Sequence, residues 1–264
     1  MNNENFRIVK SVIRSYFKSL TGLEVRQWAV TSGRFLVQNK KLIKGDKYNV
    51  GLELLPSNLC GVKGVNLCGR ETACIKTCLV FTGKGNLLHQ RNMIDNGKIS
   101  PILATRARRT WLYLNDTEFF YDLLDAELVK ARMTADLLGK RLAVRLNVFS
   151  DIDWTPFIRS HQDIQFYDYT KYWNRRGLAN YHLTYSYNEG ISLQEVKNKL
   201  DGNHNVAVVF SGKLPETWNG YEVTDGDVDD NRYDDAKGVV IGLAVKKPIG
   251  KKEEDAESKF LLIA

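Results

Sequence analysis

The sequence predicts an α/β protein, specifically a complete or partial (β/α) TIM-type barrel behind an N-terminal extension. Three observations carry that expectation. Short, nearly continuous apolar runs such as "VAVVF" and "GVVIGLAV" read as strands buried on both faces, which is the signature of a parallel sheet. These runs alternate with amphipathic stretches that carry helix caps and stops. A chain of 264 residues has the length of a single barrel.

The first 44 residues look like an added helix and hairpin; the barrel domain spans 45 to 264. Its first strand lies in "KYNVGLELL" (47 to 55), stopped by Pro56 and Ser57. A cysteine-bearing loop, 60 to 86, follows, and "ETACIKTCLVF" within it begins a short helix. "SPILATRARRTWLYL" and "NDTEFFYDLLDAELVKARMTADLLGK" are helices. The second is capped by Asn115 or Asp116 and ends at Gly139. Strands follow at 141 to 149, 163 to 171, 180 to 188 and 205 to 210, with helices at "WTPFIRSH" and "ISLQEVKNKL", the latter capped by Ser192 with Glu195 at the third position after it. "GVVIGLAV" (238 to 245) and "KFLLIA" (259 to 264) close the chain.

The composition bounds the function. With 43% apolar and 11% aromatic residues the chain is globular rather than disordered. No apolar run approaches a membrane span and no leader pattern opens the sequence, so a cytoplasmic protein without a membrane partner is expected. The net charge of +7 is dispersed and its aromatics are not interleaved with basic residues, so nucleic acid is not the expected partner. Neither a dinucleotide glycine fingerprint nor a phosphate-binding P-loop is present. Oligomeric state is not legible.

The thiols are the strongest signal. Cys68, Cys74 and Cys78 fall within eleven residues, and the one other cysteine, Cys60, lies just upstream. A disulfide framework does not suit a reducing compartment. Packing cysteines scatter, zinc knuckles come as C-x2-C pairs, and a single catalytic thiol needs no thiol neighbours. All three readings stay open, but an iron–sulfur cluster leads, because thiolates from one flexible loop can wrap a cubane. In a barrel the chemistry gathers at the carboxyl ends of the strands. Asn147, Asp151, Tyr169, Lys171 and Ser186 stand there as candidate catalytic groups: a proton donor and acceptor, an orienting cation and two hydroxyls for a small-molecule substrate. Four of them also have a structural reading: Asp151 caps the following short helix, Lys171 is solvated, Tyr169 is a wall, and Asn147 sits within an apolar strand, where it must find hydrogen-bond partners. The acidic run "TDGDVDDNRYDD" departs from the EF-hand pattern and reads as a turn-rich loop at the barrel mouth, with Arg232 as internal counter-charge.

In order, "GVNLCGRETACIKTCLVFTGKGN", "RRTWLYLNDTEFFYDLL", "VRLNVFSDIDW", "FYDYTK", "NYHLTYS", "VAVVF" and "DGDVDDNRYDDAKGVVIGL" resemble a family of phage-encoded proteins of the gene-product-eighty-eight type. The resemblance covers 45 to 264, with the first 44 residues outside the matching blocks, and includes a C-x5-C-x3-C triad, met by Cys68, Cys74 and Cys78. It implies a [4Fe–4S] cluster held by those three thiolates in the host cytoplasm, with Cys60 as the candidate fourth ligand. Without Cys60 one iron is open to substrate; with it the cluster is closed. The layout is similar to that of radical S-adenosylmethionine barrels, which also place three cysteines after the first strand. Their C-x3-C-x2-C spacing and their "GGE"-type segment are absent, so S-adenosylmethionine itself is not supported. Three function classes follow. The first is a cluster-dependent lyase or oxidoreductase acting on a small molecule, sulfur compounds included. The second is a viral accessory protein with a structural metal that binds a host protein or nucleic acid. The third is a zinc protein of either kind.

Overall fold

In the computed structural model the described residues are 3–32, 35–39, 42–43, 46–69, 78, 80 and 87–245. The expected helix within the cysteine loop and the closing strand 259 to 264 lie outside them. Two helices open the chain, α1 (Asn3–Ser19) and α2 (Gly22–Ser32). Among the described residues of the expected helix and hairpin, the extended pairing is an isolated antiparallel bridge from Val37 to Gly51. Thr21 and Glu24 hydrogen-bond to each other at the start of α2, in the manner of a capping box. The extension is not set apart from the rest. Val9, Ile13 and Phe17 of α1 pack with Leu103 and Ala107, and Val25 and Ala29 of α2 join the main core.

Strand β1 (Tyr48–Gly51) leads to α3 (Leu87–Asp95), α4 (Pro101–Asn115) and α5 (Thr117–Leu137). Pro101 enters α4 in its first turn, where a missing N–H costs nothing. α5 stops as expected at Gly139, whose φ of +62° suits glycine; Lys140 N–H closes on the Ala135 carbonyl at 2.9 Å. Then come β2 (Leu142–Arg145), α6 (Thr155–Arg159), β3 (Gln165–Thr170), β4 (Tyr181–Ser186), α7 (Leu193–Asp201) and β5 (Val206–Phe210). The capping box of α7 forms as read, with Ser192 and Glu195 bonding reciprocally. A hairpin, β6 (Thr217–Trp218) and β7 (Tyr221–Asp225), precedes β8 (Val240–Ala244). That hairpin was missed, although Asn219-Gly220 marks its turn; both residues have positive φ, at 50° and 84°, as a type I′ turn requires.

The strands form one sheet in the order β1-β2-β3-β4-β5-β8-β7-β6. Every neighbour pair is parallel except β6 with β7. The sheet does not close on itself among the described residues. From β1 to β5 the spatial order follows the sequence without reversal, unlike a doubly wound sheet, whose order turns back at a switch point. The α5, α6 and α7 residues Leu124, Leu128, Ile158, Val196 and Leu200 pack on one face, against Val144, Phe166, Leu183, Val206 and Val208. The opposite face carries Ala143, Arg145, Tyr167, Tyr169, Ala207 and Ile241.

The acidic segment 229–235 covers part of that opposite face rather than standing at a rim. Asp230 is 0% exposed and Arg232 2% exposed, so the segment is part of the interior. Asp230 pairs with Arg145 at 3.1 Å and accepts from the Tyr167 hydroxyl, and Asn231 bonds Asn49 at 2.7 Å. Arg232 does act as the expected counter-charge, lying 3.1 Å from Asp229 and 3.2 Å from Asp235. No helix among the described residues is long and apolar enough to cross a membrane.

Candidate functional site

The chain leaving β1 turns sharply at Ser57, which adopts a positive φ of 56°. This turn aims the Ser57 N–H at the Cys68 sulfur, 3.2 Å away. The same sulfur lies 3.2 Å from the Phe149 carbonyl, to which the thiol donates. Cys68 N–H bonds the Asn66 side chain, and the Leu67 carbonyl accepts from the Asp151 N–H at 2.8 Å. The thiol loop is thereby tied to the carboxyl ends of β1 and β2. Gly69 has a φ of +33°, and a Cβ there would collide with the Tyr172 hydroxyl, so this turn requires glycine.

The other thiols are arranged differently. Cys60 is 1% exposed and packs with Val9, Ile13, Leu55 and Leu59. Cys78 and Phe149 pack against that same apolar cluster. Cys74 lies outside the described residues. Among the described residues no three His, Cys, Asp or Glu side chains are grouped to hold a metal ion.

The five strand-end candidates divide into two groups. Asn147 is a buried hub. Its Oδ1 accepts from the Ser150 hydroxyl, the Ile152 N–H and the Trp154 indole N–H at 2.8 to 3.0 Å, and its Nδ2 donates to the Ile152 carbonyl. Its backbone N–H donates to Asp168 at 2.7 Å. Burial pushes the Asp168 carboxyl up to about 7, against the downward pull of that N–H, the Arg145 charge and the Tyr181 hydroxyl. Asp151 does not cap α6, whose N-cap position is Trp154 with no side-chain cap; the neighbouring Asp153 accepts from the Thr155 N–H at 3.0 Å. Asp151 instead binds the Arg175 guanidinium at 2.7 Å, the Thr170 hydroxyl at 2.9 Å and the Lys171 N–H at 2.8 Å. Tyr169 and Ser186 belong to the opposite face. Tyr169 packs with Ala207 and Ile241, and Ser186 is in register with Ala207. The Tyr169 hydroxyl is buried and meets no hydrogen-bond partner among the described residues. Burial and the Asp230 charge raise its pKa well above that of free tyrosine. Lys171 bonds Asp151 through its backbone.

Asp151, Asn66 and Leu67 line a cleft of about 800 Å³ at this edge; Asn66 and Leu67 immediately precede Cys68, which does not itself line it. Its other walls are Tyr113 of α4, Thr155 and Arg159 of α6, and the β3–β4 connection from Tyr172 to Leu178. Arg175 is held by Asp151 and lies 4.7 Å from the Tyr172 ring centroid. None of the residues singled out in the sequence lies in this connection, "WNRRGL". The available signal was its paired arginines among aromatic residues. Reading only the first residues past each strand hid them, because they return to the edge from several positions downstream.

Fold and site together define an α/β protein with an open, mostly parallel sheet and a thiol loop beside a polar cleft at its carboxyl edge. The Gene product 88 family matches residues 29–260, and the chain belongs to that phage gene-product family. The match begins within α2, earlier than the blocks from residue 45 onward that carry the sequence resemblance. No curated protein and no solved structure matches the chain.

Proposed function

We propose that this protein binds a [4Fe–4S] cluster through Cys68, Cys74 and Cys78 and acts as an enzyme, a lyase or oxidoreductase, on a small molecule held in the adjoining cleft. One observation carries the reading. The Cys68 sulfur sits at the carboxyl edge of the sheet and accepts a backbone N–H from Ser57, and the two residues before it line a polar cleft. An N–H donor on sulfur suits a cluster thiolate, whose potential such bonds tune. The fit is testable on the described residues at Cys68 and Cys78. Both lie against Phe149 or the cluster it packs on, and the third thiol falls outside them. Cys60 is a buried member of the apolar cluster against which the partly exposed Cys78 packs, and that deeper burial favours packing over ligation and supports an open fourth iron. Such an iron would supply a Lewis-acid and one-electron centre. The one-directional strand order and helices on a single face support reading the sheet as an open partial (β/α) barrel.

The protein's own groups then have separable tasks. Ser57 N–H and the Gly69 turn orient the thiol loop. Asp151 fixes Arg175 over Tyr172 at the cleft wall. Asn147 and Asp168 hold the loop after β2 in place beneath them. Tyr169 and Ser186 face the other side of the sheet and would act only on a ligand reaching that face. The reading is tested by anaerobic purification with absorption spectroscopy and iron, zinc and acid-labile sulfide analysis. A broad visible charge-transfer band with iron and sulfide in equal amounts is expected; stoichiometric zinc without sulfide overturns it and favours an accessory protein with a structural metal.

A further inference from the structure

We infer that the cleft beside Cys68 is a binding site for a small organic anion, a phosphate or a carboxylate, with Arg159 and Arg176 as its charge contacts. Three arginines (159, 175 and 176) and two aspartates (151 and 153) line it. Asp151 is neutralised by Arg175 and also held by Thr170 and Lys171, while Asp153 accepts from the Thr155 N–H and keeps its charge, so the three arginines leave the lining with a net positive charge. Arg175 is neutralised in return. The Arg159 and Arg176 guanidinium groups make no hydrogen bond or ion pair among the described residues, and both border the same concavity. Solvated surface arginines are ordinary on a convex surface. Here they come from separate elements, α6 and the β3–β4 connection, and both line one cleft of about 800 Å³ with tyrosine walls at Tyr113 and Tyr172. That volume accommodates an organic molecule, and two unneutralised guanidinium forks match one phosphate or carboxylate group. Asn66 and Leu67 form the wall on the thiol side, so a bound anion lies next to Cys68.

The inference deepens the reading above by naming the substrate class of the same site, and rests on it for the ligand's being a substrate. Binding itself needs no cluster, since neither Arg159 nor Arg176 belongs to the thiol loop. The test is calorimetric titration of the full chain, both anaerobically purified and stripped of metal, with adenosine monophosphate, inorganic phosphate and succinate, and with adenosine as the uncharged control. At least one anion should bind saturably to both preparations while adenosine does not, and the preferred arm separates phosphate from carboxylate. Arg159→Ala and Arg176→Ala should each weaken binding roughly ten- to a hundredfold, the range for one hydrogen bond to a charged group. Both side chains are exposed, so near-UV circular dichroism of the variants should match the parent. Absence of saturable binding by every anion, equal binding by adenosine, or unchanged affinity in both variants overturns the proposal. Anion binding by an anaerobically purified protein that carries stoichiometric zinc and no acid-labile sulfide would sink the cluster reading and leave this site standing; a cluster without anion binding would do the reverse.

Discussion

Asn147 stands in the sequence as an amide at the end of an apolar strand, a position that demands hydrogen-bond partners. The structure supplies them so fully that its amide oxygen serves three donors at once. Asn147→Ala should therefore act on stability, leaving the buried Trp154 and Ile152 N–H groups unsatisfied at a cost of roughly 3 kcal/mol, read from denaturant midpoints. A stable variant that had lost only activity would restore Asn147 to a catalytic part. His182 makes a pH prediction. Burial and the Arg232 charge lower it from 6.5 to about 4, so the folded chain keeps it neutral where the unfolded chain binds a proton. Stability from this group is thus complete above about pH 6.5 and is lost as pH falls toward 4, by roughly 3 kcal/mol in all. Asp168 has the opposite slope over about pH 4 to 7, because its raised pKa makes the folded state the better proton binder. Comparing His182→Gln with the parent isolates the histidine: the acid-side loss of melting temperature should be smaller in the variant. Equal slopes would show that His182 titrates normally.

At the scale of elements, the segment 229–235 is the clearest departure from its sequence. Its aspartates look like a solvated loop, yet Asp230 is buried against Arg145 and Tyr167. Burial opposes the Arg145 charge, and Asp230 with the neighbouring tyrosines outweighs it, keeping the guanidinium above its usual value. Asp230→Ala would strand that cation, and a loss of about 3–5 kcal/mol in thermal or chemical unfolding is expected. A loss below 1 kcal/mol would mean that water already solvates Arg145. Helix α7 offers a contrast, because its signals are wholly local. Ser192→Ala removes half a capping box and should cost about 1 kcal/mol, with no effect on metal content or anion binding.

For the whole molecule, the thiol loop joins two cores. Cys60 and Cys78 touch the cluster built with α1, while Leu67, just before Cys68, belongs to the main core and pairs with Asp151. If the three-thiolate reading holds, Cys68→Ala, Cys74→Ala and Cys78→Ala should each abolish cluster loading and lower the melting temperature of the anaerobic protein, since metal-binding energy is partly folding energy. Cys60→Ala should keep the cluster and cost roughly 1–2 kcal/mol through lost packing. Loss of the cluster in the Cys60 variant would replace the open iron by a closed, four-thiolate site.

What the amino-acid sequence determined alone is what depends on near neighbours. The caps at Ser192 and Gly139, the buried strands at 205 to 210 and 238 to 245, and the clustering of three thiols all arise from residues within a few positions of one another. The Asn219-Gly220 hairpin belongs to this class too, its local signal present though unread. Tertiary structure alone decided which polar groups meet. Asp151 reaches Arg175 across 24 positions, Asp230 reaches Arg145 across 85, and Asn49 reaches Asn231 across 182. It also set Tyr169 and Ser186 on one face of the sheet and Asp151 in the cleft at its edge, though each lies at a strand end in the sequence. The reason is physical. Backbone propensity and capping act over one turn or one strand, whereas the pairing of buried charges is chosen by chain crossings that bring distant segments to the same surface.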